Sequence, residues 1–154
     1  MPHKLNVVLV EPEIPMNTGT IGRLCLATGS TLHLIEPLGF EITNRQLKRA
    51  GLDYWKHVNV KVYSGLKVFL QSIPPSAQKV FFSTKGKKDF FQHVFNPGAY
   101  LFFGSETRGL PLNLIQSNTE KTYRIPQYDK RIRSINLANA ASIAVYEAIR
   151  QLGV

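Results

Sequence analysis

The sequence predicts an α/β fold, a mainly parallel sheet with helices on both faces. Short runs rich in β-branched and aromatic residues alternate with helical stretches, the order that feeds a parallel sheet through crossover helices. The final stretch, from Asn136, has a clear 3.6-residue apolar period, as a helix on a sheet face requires. No repeat, low-complexity tract or linker interrupts the pattern, so residues 1–154 read as a single domain of ordinary length.

The elements follow in order. Residues 5–10 are a short apolar run, the signature of a buried strand. Asn17 suits the N-cap of a first helix, and Gly29 suits the left-handed stop at its end. Thr31–Ile35 reads as a second strand, and Thr43 is placed to cap a short helix that stops at Gly51. Residues 58–63 alternate as a strand, and Ser64 is placed to cap a helix to about Ser72, before Pro74-Pro75 breaks the chain. Residues 79–83 and 99–103 are strongly β-like, 111–116 helical and 122–125 β-like. In the last helix Leu137, Ala141, Ala144, Val145, Ala148, Ile149 and Leu152 share one face.

Composition narrows the class. Lys and Arg number 19 against 10 Asp and Glu, a net charge of +9 spread along the chain instead of gathered in a tail. A compact basic domain suits a polyanionic partner, because neutralising phosphates releases counterions. No apolar run approaches the ~18–20 residues of a membrane helix. The N-terminus has no cleavable signal pattern, and the single Cys25 has no intrachain partner, so a cytoplasmic setting is expected.

Ligands of parallel sheets sit beyond the carboxyl ends of the strands. Three loops that follow predicted strands are unusual. In residues 11–23, Asn17 and Gly19 open a helix that carries Arg23. A helix start offers free N–H groups to an anion, and the same residues also read as a plainly capped helix with a surface arginine. In residues 103–111, Gly104 follows an apolar strand where backbone can approach a ligand closely, with Glu106 and Arg108 beside it; a Gly-Pro turn is the other reading. In residues 125–137, Ser134 and Asn136 both suit the cap of the last helix, while Lys130, Arg131 and Arg133 form either a phosphate grip or a solvated basic loop. Other devices are absent: no GxGxxG, P-loop or GxSxG, no HExxH among four histidines, and no cysteine set for zinc. Tyr54 and Trp55 suit either base stacking or packing, and for Trp55 packing in the core is the expectation.

At these three loops the sequence resembles the SPOUT superfamily of RNA methyltransferases. "NTGTIGRLC" is similar to its first motif, Asn-x-Gly followed by arginine; "FGSETRGLP" to its second, Gly-x-Glu-x-x-Gly-x-Pro; and "RSINLANAASIAVYEA" to its third. The likeness runs from about Leu5 to Gly153, with the three motifs in order. "EPEIPMNTGTIGRLC", "HLIEPLGF" and "KRAGLDYW" further resemble the small YibK/TrmL group, which methylates the wobble-nucleotide ribose of tRNA.

The resemblance implies more than the residue patterns do. It implies a sheet whose C-terminal segment is tied as a deep trefoil knot, a homodimer, and an active site completed across the interface. It implies that S-adenosylmethionine binds against Phe82, Thr84, Gly104, Ile125, Pro126, Ser134 and Leu137, and that methyl transfer runs in line to a ribose 2′-hydroxyl of tRNA. Arg23 then takes the catalytic role, as base or as stabiliser of the developing alkoxide, and Glu106 holds loop backbone or Arg23 in place. Ser134 and Asn136 orient cofactor and ribose, Asn17, Lys130, Arg131 and Arg133 contact RNA, and no metal is required. The loop between Pro126 and Ser134 is a little longer than the group's usual form, which bears on the contacts of Lys130 and Arg131. Two alternatives stand beside this one: ribosomal RNA 2′-O-methylation, and a non-enzymatic RNA-binding protein of the same fold.

Overall fold

A computed structural model describes residues 3–153. Among the described residues, β1 (Asn6–Val10), β2 (Thr31–Ile35), β3 (Val60–Tyr63), β4 (Lys79–Phe82), β5 (Lys88–Asp89), β6 (Tyr100–Phe103) and β7 (Thr122–Arg124) form one sheet. Their order is β3-β2-β1-β6-β4-β7-β5, and each neighbouring pair is parallel. The helices are α1 (Pro15–Thr28), α2 (Arg45–Gly51), α3 (Leu66–Ser72), α4 (Leu112–Gln116) and α5 (Leu137–Leu152).

Strand periodicity divides the core into two layers. Side chains alternate across a strand, so β1 sends Val7 and Leu9 to one face and Val8 and Val10 to the other. The first layer is closed by α1, through Ile21 and Cys25, and by α5, through Ala138, Ala141, Ala144, Val145 and Ala148. The second is closed by Phe69 and Ile73 near α3 and by Leu114 and Ile115 of α4. Phe102 packs there between Phe81 and Phe69, with ring centroids 4.6 and 5.8 Å away. Fully burying such a side chain contributes roughly 1.5–3 kcal/mol. The alanines on the buried face of α5 let that helix lie close to the sheet and to α1.

Several local expectations change. The first helix begins at Pro15, with Ile14 as N-cap and no side-chain cap, so Asn17 is not the cap. Pro15 has a preset φ and no N–H to satisfy, which makes it the better first residue. Asn44, not Thr43, accepts from the Gln46 N–H at the start of α2, at 2.7 Å. Gly65, not Ser64, precedes α3, again without a side-chain cap. Gly29 ends α1 at φ 70°, as expected, and Asn136 caps α5 by accepting from the Asn139 N–H at 3.1 Å. The short β5 has no signal in the sequence, because two residues carry no periodicity. Trp55 is half-buried beside α1, and a Cβ on Gly22 would run into its indole, so the packing reading of Trp55 holds.

One polar cluster lies inside the second layer. His33 on β2 is buried, with Nε2 2.9 Å from Asn6 Oδ1 and Nδ1 3.1 Å from the Tyr63 hydroxyl, and with Phe69 and Tyr100 against its ring. Burial, helped by the charge of Lys61, lowers its pKa from 6.5 to about 4. Between those values the unfolded chain binds a proton that the folded chain does not, so stability falls as pH drops through that window. The whole window is worth roughly 3 kcal/mol. Urea midpoints should therefore fall between pH 7 and pH 4. His33→Gln should flatten the dependence, leaving the part from His93, whose pKa burial also lowers.

Candidate active site

Because neighbouring strands are parallel, their carboxyl ends share one edge of the sheet. β1, β6, β4 and β7 are adjacent, so the loops that leave them are adjacent as well. Glu11 turns the chain off β1 at φ 52°, a left-handed conformation uncommon outside glycine. Residues 83–87 leave β4, residues 104–111 leave β6, and residues 125–136 lead from β7 into α5.

These loops enclose a cavity of about 560 Å³, within the ~300–1,000 Å³ of small-molecule sites. Phe82 and Phe103 form its apolar floor, stacked with centroids 4.9 Å apart and planes within 7°. Leu110, Ile125 and Leu137 extend the apolar wall, while Ser83, Thr84, Gln127, Ser134 and Asn136 bring polar groups to it. Lys85, Arg108 and Arg133 stand on the lining as well.

Glu106 ties the loops together. Its carboxylate accepts the N–H groups of Glu13 and Ile14, each at 2.8 Å, and the side-chain amide of Asn17 at 3.2 Å. The other end of that amide, Asn17 Oδ1, accepts from Asn136 Nδ2 at 3.1 Å, and Asn136 in turn caps α5. A reciprocal tie runs from Thr107, whose N–H and hydroxyl donate to Glu13 at 3.0 and 2.6 Å. Those two bonds hold the Glu13 carboxyl below its ordinary pKa. Arg133 Nη2 donates to the Thr107 carbonyl at 3.1 Å, so the third loop is fastened to the second.

The structure brings most of the expected residues to this cavity. Phe82, Thr84, Gly104, Glu106, Ile125, Arg133, Ser134, Asn136 and Leu137 all line it, and Pro126 does not. Asn17 also lines it, 9% exposed, and both ends of its amide are bonded to the other loops, to Glu106 and to Asn136. Glu106 holds loop backbone, one of the two tasks expected of it, and does not meet Arg23. Arg23 lies outside the cavity, exposed on α1, with its guanidinium 5.0 Å from the centroid of the Tyr54 ring. Arg131 is folded onto Asp129 by contacts of 3.0 and 2.6 Å, and Lys130 is exposed. The need for glycine at 104 also differs from expectation: a Cβ there would collide with the backbone of Gly109 and Leu110, so the loop's own packing excludes a side chain. The pairing of Glu13 with Thr107 leaves no local signal in the sequence, because it joins positions far apart in the chain. Among the described residues no group of His, Cys, Asp and Glu could hold a metal ion, and no helix is long and apolar enough to cross a membrane.

Known proteins resemble the chain in sequence and in fold. Residues 4–146 match the SpoU rRNA Methylase family. The chain is 48% identical over 149 residues to a tRNA (cytidine(34)-2'-O)-methyltransferase of Saccharophagus degradans, with 96% of each chain covered. It superimposes with a TM-score of 0.94 and 44% identity on a solved structure described as "Structural insights into the 2-OH methylation of C/U34 on tRNA", with 99% of both chains covered. It also resembles an AdoMet-bound rRNA methyltransferase from Sinorhizobium meliloti, with a TM-score of 0.86 and 25% identity, covering 99% of this chain and 58% of that one.

Removing the central carboxylate tests the arrangement. Glu106→Ala leaves two N–H groups and the Asn17 amide without their acceptor, and bonds to a charged group are worth ~1.5–3 kcal/mol. Urea denaturation should show a loss of about 2 kcal/mol, and calorimetry should show weakened binding of S-adenosylhomocysteine. Gly104→Ala should lose that binding through displacement of residues 109–110; unchanged affinity in a folded variant would refute the packing argument.

Proposed function

The chain belongs to the SpoU rRNA methylase family, and from that premise we propose that it transfers the methyl group of S-adenosylmethionine to the ribose 2′-hydroxyl of the wobble cytidine or uridine of tRNA. The observation that carries this reading is the meeting of the three motif loops at one cavity, in a chain that matches end to end a structure concerned with C/U34 methylation.

The residues fit the methyl donor. The Phe82–Phe103 floor with Ile125 and Leu137 suits a flat purine, and Ser83, Thr84 and Ser134 offer hydroxyls to a ribose and an amino-acid tail, beside the one Nδ2 hydrogen of Asn136 that its bonds to Asn17 and to the Asn139 N–H leave over. When bound, S-adenosylmethionine supplies an electrophilic methyl group on sulfur. The protein's task is to hold the 2′-oxygen in line with it and to stabilise the charge that forms as the hydroxyl loses its proton. Alignment of bound reactants can supply ~7–11 kcal/mol of the barrier. Ser134 and Asn136 orient the two reactants, and the guanidinium of Arg23 stabilises the developing alkoxide and the adjoining phosphate.

Arg23 reaches a cavity in this reading through dimerisation. On α1, Met16, Thr20, Arg23 and Ala27 recur on one exposed face, and on α5 the exposed residues are Asn139, Ile143, Tyr146 and Arg150. Ile14, Met16, Ile143 and Tyr146 are 41–55% exposed, an apolar surface suited to a second copy of the chain. Two copies packed through α1 and α5 then carry each Arg23 toward the other's cavity. Residues 1–154 act as one domain in the cytoplasm, with Lys130, Arg131 and Arg133 at the RNA-facing loop. A trefoil knot at the C-terminal part of the sheet belongs to the same reading. It is supported by β7 lying between β4 and β5, and by the close passage of Gly86 over the Tyr123 backbone.

Incubation with labelled S-adenosylmethionine and bulk tRNA should give 2′-O-methylated C or U at position 34 by mass spectrometry; methylation of ribosomal RNA alone would overturn the assignment. Arg23→Ala should keep S-adenosylhomocysteine affinity and lose ~10²–10³ in rate, the value of one charge-stabilising donor. Near-normal turnover at saturating tRNA would remove Arg23 from the reaction.

A further inference from the structure

We propose that Tyr128 is a stacking platform for the base of an unpaired nucleotide beside the one that is methylated. The inference rests on the tRNA-methyltransferase reading above and goes beyond it in naming a residue that grips the RNA.

Tyr128 is 94% exposed and Ile132 is 56% exposed, in a loop that is not otherwise loose. Asp129 accepts the Arg131 N–H at 2.9 Å and its guanidinium at 3.0 and 2.6 Å. The Ile132 N–H donates to the Asp129 carbonyl at 3.3 Å, and the Gln127 side-chain amide donates to the Ile132 carbonyl at 3.2 Å. The turn is thus closed by its own bonds while its aromatic ring is left in water. With the backbone of the turn already held, only the ring's own rotamers remain to be ordered on contact, which lowers the entropy cost of using it as an anchor.

Position and charge select the partner. Gln127 and Arg133, on either side of the turn, both line the cavity, so the turn that carries Tyr128 stands beside it. Among the described residues Lys130 makes no ion pair, and Arg133 keeps its charge beside it, whereas Arg131 is neutralised by Asp129. A ring flanked by cations matches a nucleotide, whose base stacks on the ring while its phosphate meets the charge. An unstacked, single-stranded base is required, because bases within an A-form helix do not present their faces.

The test uses an anticodon stem-loop RNA with cytidine at the wobble position and 2-aminopurine next to it. Wild type and Tyr128→Phe should shift the 2-aminopurine fluorescence on binding, and Tyr128→Ala should not. Tyr128→Ala should also weaken RNA binding and raise KM for tRNA by roughly 5- to 150-fold, the range measured for loss of one base–aromatic stack. Affinity for S-adenosylhomocysteine should stay unchanged, which reports an intact fold and cavity. A Tyr128→Ala protein that binds and methylates like an active wild type overturns this proposal alone. A wild type that neither binds nor methylates tRNA overturns the functional reading with it. A fall in light-scattering mass from dimer to monomer in Tyr128→Ala would make the ring a contact between copies and likewise refute the stacking role.

Discussion

Glu106 carries a charge at the junction of three chain segments. Its carboxylate is within 2.8 Å of two backbone N–H groups that no strand or helix satisfies, at Glu13 and Ile14, and it also takes the Asn17 amide. From Asn17 the connection passes to Asn136 and so to the first turn of α5. The loop after β1, the loop after β6 and the start of the last helix are therefore one hydrogen-bonded unit. Hydrogen bonds to an ionised acceptor are shorter and stronger than neutral ones. The cavity walls inherit their positions from that unit, because Gly104, Ser134 and Leu137 lie within a few residues of its members.

The sheet supplies the ground on which this unit can form. Parallel strands place their carboxyl ends on one edge, and the order β1-β6-β4-β7 sets four loops side by side although they are distant in sequence. The same strands are covered on both faces, by α1 and α5 on one side and by residues of α3 and α4 on the other. The site thus sits above a rigid core, and its floor is core material: Phe82 and Phe103 are the last residues of their strands, 7% and 2% exposed. A loop site built on such a base needs few bonds to stay in shape.

The basic residues divide by what already holds them. Arg131 and Arg124 are paired with Asp129 and Asp89, and Lys88 with Glu120, and exposed pairs of this kind contribute little beyond local order. Arg133 is anchored through one donor to the Thr107 carbonyl, while Lys130 makes no ion pair among the described residues. Net charge alone pointed to a polyanion; the pairing decides which cations remain free to meet one.

The alternation of strand and helix, the 3.6-residue period of α5, the stop at Gly29 and the cap at Asn136 were legible because each depends on neighbours within a turn or two of chain. The three motif loops were legible for the same reason, as short strings of unusual residues after apolar strands. Pro15 as the true start of α1 was legible in principle too, but Asn17 offered a stronger local signal for a role it does not have. Asn17 is held instead by Glu106 and Asn136, at separations of 89 and 119 residues. No local pattern encodes a partner that far away. Gly104 likewise had to be glycine for a reason visible only in three dimensions, the close passage of the Gly109–Leu110 backbone. Local physics, in backbone preference and hydrophobic period, is written in the sequence; which distant groups meet, and which charges they leave unpaired, is decided only when the sheet brings the strand ends together.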